Sequence, residues 1–198
     1  MKHEPELESM SRFEALIRKL IQYTGDDPDR QGLQRTPSRV ARAYQEWFGG
    51  YHEDPESVCV AFEDGAEDAK ELVLETDIPV FSHCEHHMAP FFGVAHVGYI
   101  PHNKIIGLSK MHRLVNIYAR RLQVQERLGS QIARALHNGL KPLGVGVALQ
   151  CRHLCKESRG VRSVGSFTQT VALTGVMLHE DSAKAEFMNR ISASRYSM

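Results

Sequence analysis

The sequence predicts an α+β fold in which two helices come first and an antiparallel sheet with an inserted helical pair follows. Three observations carry this expectation. Apolar residues recur at helical spacing before Gly49, β-rich runs begin near Glu71, and two helix-period segments separate the second of those runs from the third. The chain has 198 residues, of which 42% are hydrophobic and 24% charged, enough to build a core around one domain with a helical extension. The expected organisation is an N-terminal helical segment and connection over residues 1–68, then the main domain over 69–198.

Phe13, Leu16, Ile17, Leu20 and Ile21 make an amphipathic helix of the segment from about Glu6 to Tyr23. GDDPDRQG at 25–32 reads as a turn. Thr36-Pro37 reads as an N-cap with a first-turn proline; Val40, Tyr44, Trp47 and Phe48 supply the apolar face, and Gly49-Gly50 ends the helix. The acidic stretch from Tyr51 to Asp68 lacks periodicity and reads as a connection. ELVLETDIPVF at 71–81 and FFGVAHVGYIP at 91–101 read as strands around the polar loop SHCEHHMAP. Ser109 is a plausible N-cap for a helix carrying Met111, Leu114, Val115 and Tyr118. Val124, Leu128, Ile132 and Leu136 continue at helical spacing toward Gly139, as one long kinked helix or as two in succession. Residues 144–153 and 166–177 read as further strands, and Asp181–Ile191 as a short helix.

Lys and Arg together equal Asp and Glu, so bulk charge offers no basis for nucleic-acid binding, and any anion site must be a local basic cluster. The N-terminal residues contain no apolar h-region, and no run approaches a membrane span, so the expected compartment is the cytoplasm. There thiols stay reduced, and cysteines that cluster with histidine point to metal binding or catalysis. Two such clusters exist. Cys84, His86 and His87 stand in the loop between two strands, and His153 and Cys155 stand just past a later strand. Thiolate and imidazole suit zinc, and a site with three protein ligands would keep one position for water. Cys59 and Cys151 read as small buried residues, and His83 and His96 as structural.

SHCEHHMAPFFG at 82–93 resembles the cysteine-glutamate-histidine-histidine motif of the GTP cyclohydrolase I family. GLSKMHRLV at 107–115, ARRLQVQERL at 119–128, HLCKESRGVRS at 153–163 and DPDRQGLQRTPSRVARAY at 27–44 resemble further blocks of that family, in the same order. The resemblance implies a tunnelling fold (T-fold) and a zinc-dependent enzyme, active in folate and pterin biosynthesis. Its reaction converts GTP into 7,8-dihydroneopterin triphosphate and releases formate. It implies Cys84, His87 and Cys155 as zinc ligands and His86 and His153 as catalytic imidazoles, with Ser109 near the ribose. It implies Glu126 as reader of the guanine edge with Gln125 beside it, and Arg39, Lys110, Arg113 and Arg159 as the triphosphate pocket. It further implies a homodecamer of two stacked five-fold rings, with sites at subunit boundaries; bulk charge and the lack of a long apolar run separately lead to the expectation of neither nucleic acid nor membrane as partner.

These roles suit the residue types. A carboxylate accepts two hydrogen bonds from N1–H and the 2-amino group of guanine, which adenine does not present. Guanidinium groups bind phosphate in a fork geometry. The sequence departs from the family pattern at Gln150-Cys151, where an acid and Ala are expected, at Lys156 and at SFTQT over 166–170. An amide at position 150 would weaken any orienting role of that acid, and Cys151 would be a competing thiol near the metal loop. Two other readings compete: a structural zinc site closed by a fourth ligand, and a tunnelling-fold enzyme with a cysteine nucleophile and no zinc. His86 and His153 argue against the first, since a closed site does not need them, and the intact CEHH and HLC runs disfavour the second.

Overall fold

The computed structural model describes residues 4–194, with side chains from residue 9 onward. The chain divides into two compact units between Gly49 and Gly50. The first contains α1 (Glu4–Tyr23) and α2 (Thr36–Trp47). Phe13 and Tyr44 join these helices, their ring centroids 5.3 Å apart. Thr36 is the first helical residue rather than the cap: Arg35 holds the N-cap position without a side-chain cap bond, and Pro37 sits where a missing N–H costs nothing.

Within residues 51–68, expected to be a plain connection, the second unit forms a short helix, α3 (Pro55–Val58), and a two-residue strand, β1 (Ala61–Phe62). Local chemistry explains α3, since Asp54 accepts a hydrogen bond from the Glu56 amide and Pro55 opens the turn. The main sheet then builds from β2 (Val73–Cys84), β3 (Pro90–Ile100), β6 (Gly144–His153) and β7 (Phe167–Gly175), each antiparallel to its neighbour. Between β3 and β6 lie β4 (Ile105–Ile106), which pairs with β1, then α4 (Leu108–Ala119), β5 (Leu122–Gln123) and α5 (Gln125–Leu140). The helical pair is therefore two helices in succession. The break between them is used: β5 adds to the sheet edge parallel to β2, pairing Cys84 with Gln123. A two-residue parallel strand carries no periodicity, which is why the sequence did not reveal it.

The core follows from strand alternation. Phe91, Ala95, Val97 and Tyr99 of β3 and Val145, Val147, Leu149 and Cys151 of β6 share one face and pack with Met111, Leu114, Leu128, Ile132 and Leu136 of the helical pair. Toward one end of the other face, Ala148 and Leu72 meet Met177 of α7 (Val176–His179) and Phe187 and Ile191 of α8 (Asp181–Ser192). This is the antiparallel sheet with a packed helical pair expected of the tunnelling fold. Among the described residues no helix is long and apolar enough to cross a membrane.

At Gly93 the strands β3 and β6 approach so closely that a Cβ would lie 1.9 Å from the Gln150 carbonyl oxygen and 2.7 Å from the Cys151 Cα. Both obstacles are backbone, so the strands themselves must part. Gly93→Ala is expected to destabilise the protein by about 1–3 kcal/mol, lowering its Tm by several degrees. An unchanged thermal unfolding curve would contradict this packing.

Candidate active site

The polar turn between β2 and β3 is a tight structure. The Cys84 amide donates to Ala89 O at 2.9 Å, and the Met88 amide donates to Cys84 O at 2.7 Å. Met88 closes the turn at φ 52°, a left-handed conformation that few side chains adopt. Two further contacts tie it to the sheet edge and α5: the Glu85 amide donates to Gln123 O at 3.0 Å, and the Glu85 carboxylate pairs with Arg127. Arg127 also donates to the Gln123 side-chain oxygen at 3.1 Å, and its hydrogen bond to Glu85 holds that carboxyl below the usual carboxylate range. The turn that carries Cys84, His86 and His87 is thus braced from outside.

β6 ends at His153 and leads into α6 (Leu154–Glu157), which carries Cys155 in its single turn. Glu157 anchors this segment. Its nearly buried carboxylate receives a two-pronged bond from Arg152, at 2.6 and 3.1 Å, and one from the Gly165 amide at 3.3 Å. Lys156, a departure from the expected apolar residue, donates to the Thr168 hydroxyl at 3.2 Å and pins α6 to β7.

The two segments converge. Ligand atoms of Cys84, His87 and Cys155 lie within 4.8 Å of one another. Cys84 is buried, Cys155 half-buried and His87 exposed, so the cluster opens on one side. Burial pushes the Cys155 thiol up, and the neighbouring Cys84 adds to that. A cation between the two sulfurs would remove the like-charge part of this cost. Two sulfurs and an imidazole at this spacing fit a zinc ion with an open fourth position. His86 places Nδ1 3.7 Å from the Cys84 sulfur, and Arg159 places a guanidinium nitrogen 3.1 Å from His87 Nε2.

His153 stacks on Phe91 with ring centroids 4.6 Å apart and planes 11° from parallel. Burial lowers its pKa, the Lys156 charge adds to that, and Glu126 and Glu157 pull the other way. Its Nε2 lies 2.8 Å from the side-chain oxygen of Gln125. Gln125 is 1% exposed, and its amide nitrogen lies within 3.1 Å of Leu149 O, Thr168 O and the Thr170 hydroxyl. It is turned into the protein, whereas its neighbour Glu126 at the start of α5 is exposed. The Ser130 hydroxyl donates to the backbone oxygen of Glu126 at 2.9 Å.

The remaining predicted residues lie elsewhere. Ser109, Lys110 and Arg113 occupy the first turns of α4; Gly107 holds the N-cap position, so Ser109 is already helical and does not cap. Next to them His112 bonds Glu75 at 3.0 Å, near the start of β2, while Cys84 stands at its end. Those positions are nine steps apart along β2, a contour of at most roughly 30 Å. Arg39 is exposed on α2 of the N-terminal unit. Cys151 corrects an expectation. Its side chain is fully buried in the core, where burial drives its thiol up to about 12. It stays protonated and does not compete for metal. Gln150 faces the opposite side of the sheet from His153 and accepts from Gln169 at 2.9 Å, so it cannot orient that imidazole.

Comparison with known proteins adds the following. Residues 13–192 match the family model for GTP cyclohydrolase I. The chain is 52% identical over 171 residues to a GTP cyclohydrolase 1 from Janthinobacterium sp., covering 86% of each chain. It is 52% identical over 184 residues to the protein of that name from Streptomyces griseus, covering 92% of this chain and 90% of the relative. Over 182 residues it is 48% identical to the one from Acetivibrio thermocellus, covering 91% and 96%.

Proposed function

The chain belongs to the GTP cyclohydrolase I family, and from that premise we propose the parts its residues play in hydrolysing GTP to 7,8-dihydroneopterin triphosphate with release of formate. The observation that carries the assignment is the convergence of Cys84, His87 and Cys155, with His153 two residues before Cys155 in the chain. These three residues hold zinc. Bound there, zinc supplies a Lewis acid that makes water nucleophilic near neutral pH.

The protein does the rest by positioning and proton transfer. Glu126 accepts from N1–H and the 2-amino group of guanine and so selects the base. His153 begins as neutral imidazole, because burial disfavours its charged form. It takes a proton from the water that attacks C8 and passes it to the purine nitrogen as the C8–N bond breaks. His86, beside Cys84, is a second imidazole for the hydrolysis that frees formate. Arg159, at the metal cluster, meets the anionic substrate. Lys110 and Arg113 hold the triphosphate, with Ser109 at the ribose; Arg39 is assigned to the same phosphates from family resemblance.

α4 starts beside Glu75, nine positions along β2 from Cys84, and this separation supports a site in which these groups meet one GTP from different chains. Sites at the boundaries of a ring-shaped homo-oligomer, a homodecamer, fit that arrangement, and joining sheets between subunits also covers the β7 edge.

Incubation with GTP tests the function: a pteridine absorbance band and stoichiometric formate are expected from an oligomer carrying about one zinc per chain. A fully active monomer by light scattering would overturn the shared site, and zinc-loaded protein that leaves GTP intact would overturn the activity. Glu126→Gln is expected to weaken GTP binding, since its amide presents a donor where guanine needs an acceptor; a loss of roughly 10-fold or more follows from one mismatched bond. Unchanged GTP affinity would remove Glu126 from the site.

A further inference from the structure

We propose that Gln125 is a positioning residue that sets the tautomer of His153, keeping its proton on Nε2 and leaving Nδ1 as the nitrogen that exchanges protons with the substrate. The inference deepens the reading of His153 as the proton-transfer group and rests on it.

The argument is a matter of counting donors and acceptors. A glutamine amide has a donor end and an acceptor end, and the surroundings decide which way it points. At Gln125 one end faces Leu149 O at 3.1 Å and Thr168 O at 2.9 Å, with the Thr170 hydroxyl at 3.1 Å. The two carbonyl oxygens can only accept, so the NH₂ group must lie there. The reverse orientation would set the amide oxygen against two carbonyl oxygens in a site that is 1% exposed. The amide oxygen therefore faces His153 Nε2 at 2.8 Å. It carries no hydrogen, so the bond exists only while Nε2 is protonated. In the neutral ring the lone pair is then on Nδ1.

Two further features make this a device for orientation. Phe91, stacked on the ring at 4.6 Å, fixes its plane, so the Gln125 bond fixes the direction within that plane. A carboxylate partner would strengthen the imidazole as a base and favour its charged form; the neutral amide orients without adding charge. Gln125 thus acts through His153, with both ends of its side-chain amide engaged within the protein. Thr168, whose carbonyl oxygen holds the amide, belongs to β7, so this strand takes part in orienting the catalytic ring.

The test uses zinc-loaded oligomer with ¹⁵N-labelled histidine and solid-state ¹⁵N NMR, the His153 signal being identified by its loss in His153→Ala. In the wild-type protein His153 is expected as the Nε2–H tautomer. In Gln125→Met, a chain of similar length without donor or acceptor, the Nδ1–H form should appear. Its kcat should fall about 10- to 100-fold, with zinc content and GTP affinity held within about threefold. Gln125→Glu, which keeps an acceptor toward Nε2, should keep a proton on Nε2, with the doubly protonated ring favoured over the neutral one. A wild-type His153 protonated on Nδ1 overturns the proposal, even if neither variant folds. So does an unshifted tautomer or an unchanged kcat in Gln125→Met, or a loss confined to GTP affinity, which would make Gln125 a substrate contact. Normal turnover by His153→Ala would instead remove the catalytic reading of His153 while leaving the tautomer result standing.

Discussion

Cys155→Ser is expected to lose its zinc and its GTP turnover together, by more than roughly 100-fold, the most that losing a group which only orients a ligand usually costs. The cluster has three donors within 4.8 Å. Removing one sulfur leaves Cys84 and His87, and a serine hydroxyl stays protonated and binds zinc poorly. The fold should survive, because α6 is held by the Arg152–Glu157 pair and the Lys156–Thr168 bond, neither of which involves the thiol. Metal analysis and circular dichroism on the same preparation separate loss of metal from loss of structure. Full activity in a zinc-free Cys155→Ser protein would refute the metal assignment. Wild-type protein stripped of metal needs reductant as a control, since Cys84 and Cys155 are near enough to oxidise together on handling.

His153→Ala should behave in the opposite way, keeping about one zinc per chain while kcat falls about 100- to 10,000-fold, the range for a lost general acid–base group. His153 supplies none of the three ligand atoms, so the metal has no reason to leave. The substitution also strips Gln125 of its donor, and a buried acceptor without a partner costs about 1–3 kcal/mol of stability. A thermal melt separates that cost from the kinetic one. Single-turnover loss of GTP is the decisive readout, because ring opening precedes both the hydrolysis that frees formate and the later rearrangement. Wild-type turnover in this variant would make the imidazole a structural residue.

Much of this protein is legible in its sequence because much of it is local. α1, α2, β6 and α8 announce themselves through periodicity, and the Cys84–His87 and His153–Cys155 runs through short spacings at strand ends. A period of two or 3.6 needs only neighbouring residues, and so does a turn that puts a thiol and an imidazole side by side. Boundaries were less legible. Ser109 and Thr36 look like caps in isolation, but each lies inside its helix, at positions that packing decides.

Only the tertiary structure decided the relations across the sheet. Gln125 and Glu126 are adjacent in sequence and look alike, yet one turns inward to His153, 28 positions away, and the other faces outward. Cys151 lies four residues before Cys155, a proposed metal ligand, but strand alternation sends its thiol into the core. The same alternation turns Gln150 away from the site. Strand register and helix placement also put Lys110 and Arg113 at the opposite end of β2 from Cys84, a separation that no motif reveals. Each of these depends on which distant segments pack together, a global balance of burial and hydrogen bonding that single-residue chemistry and short spacings do not encode.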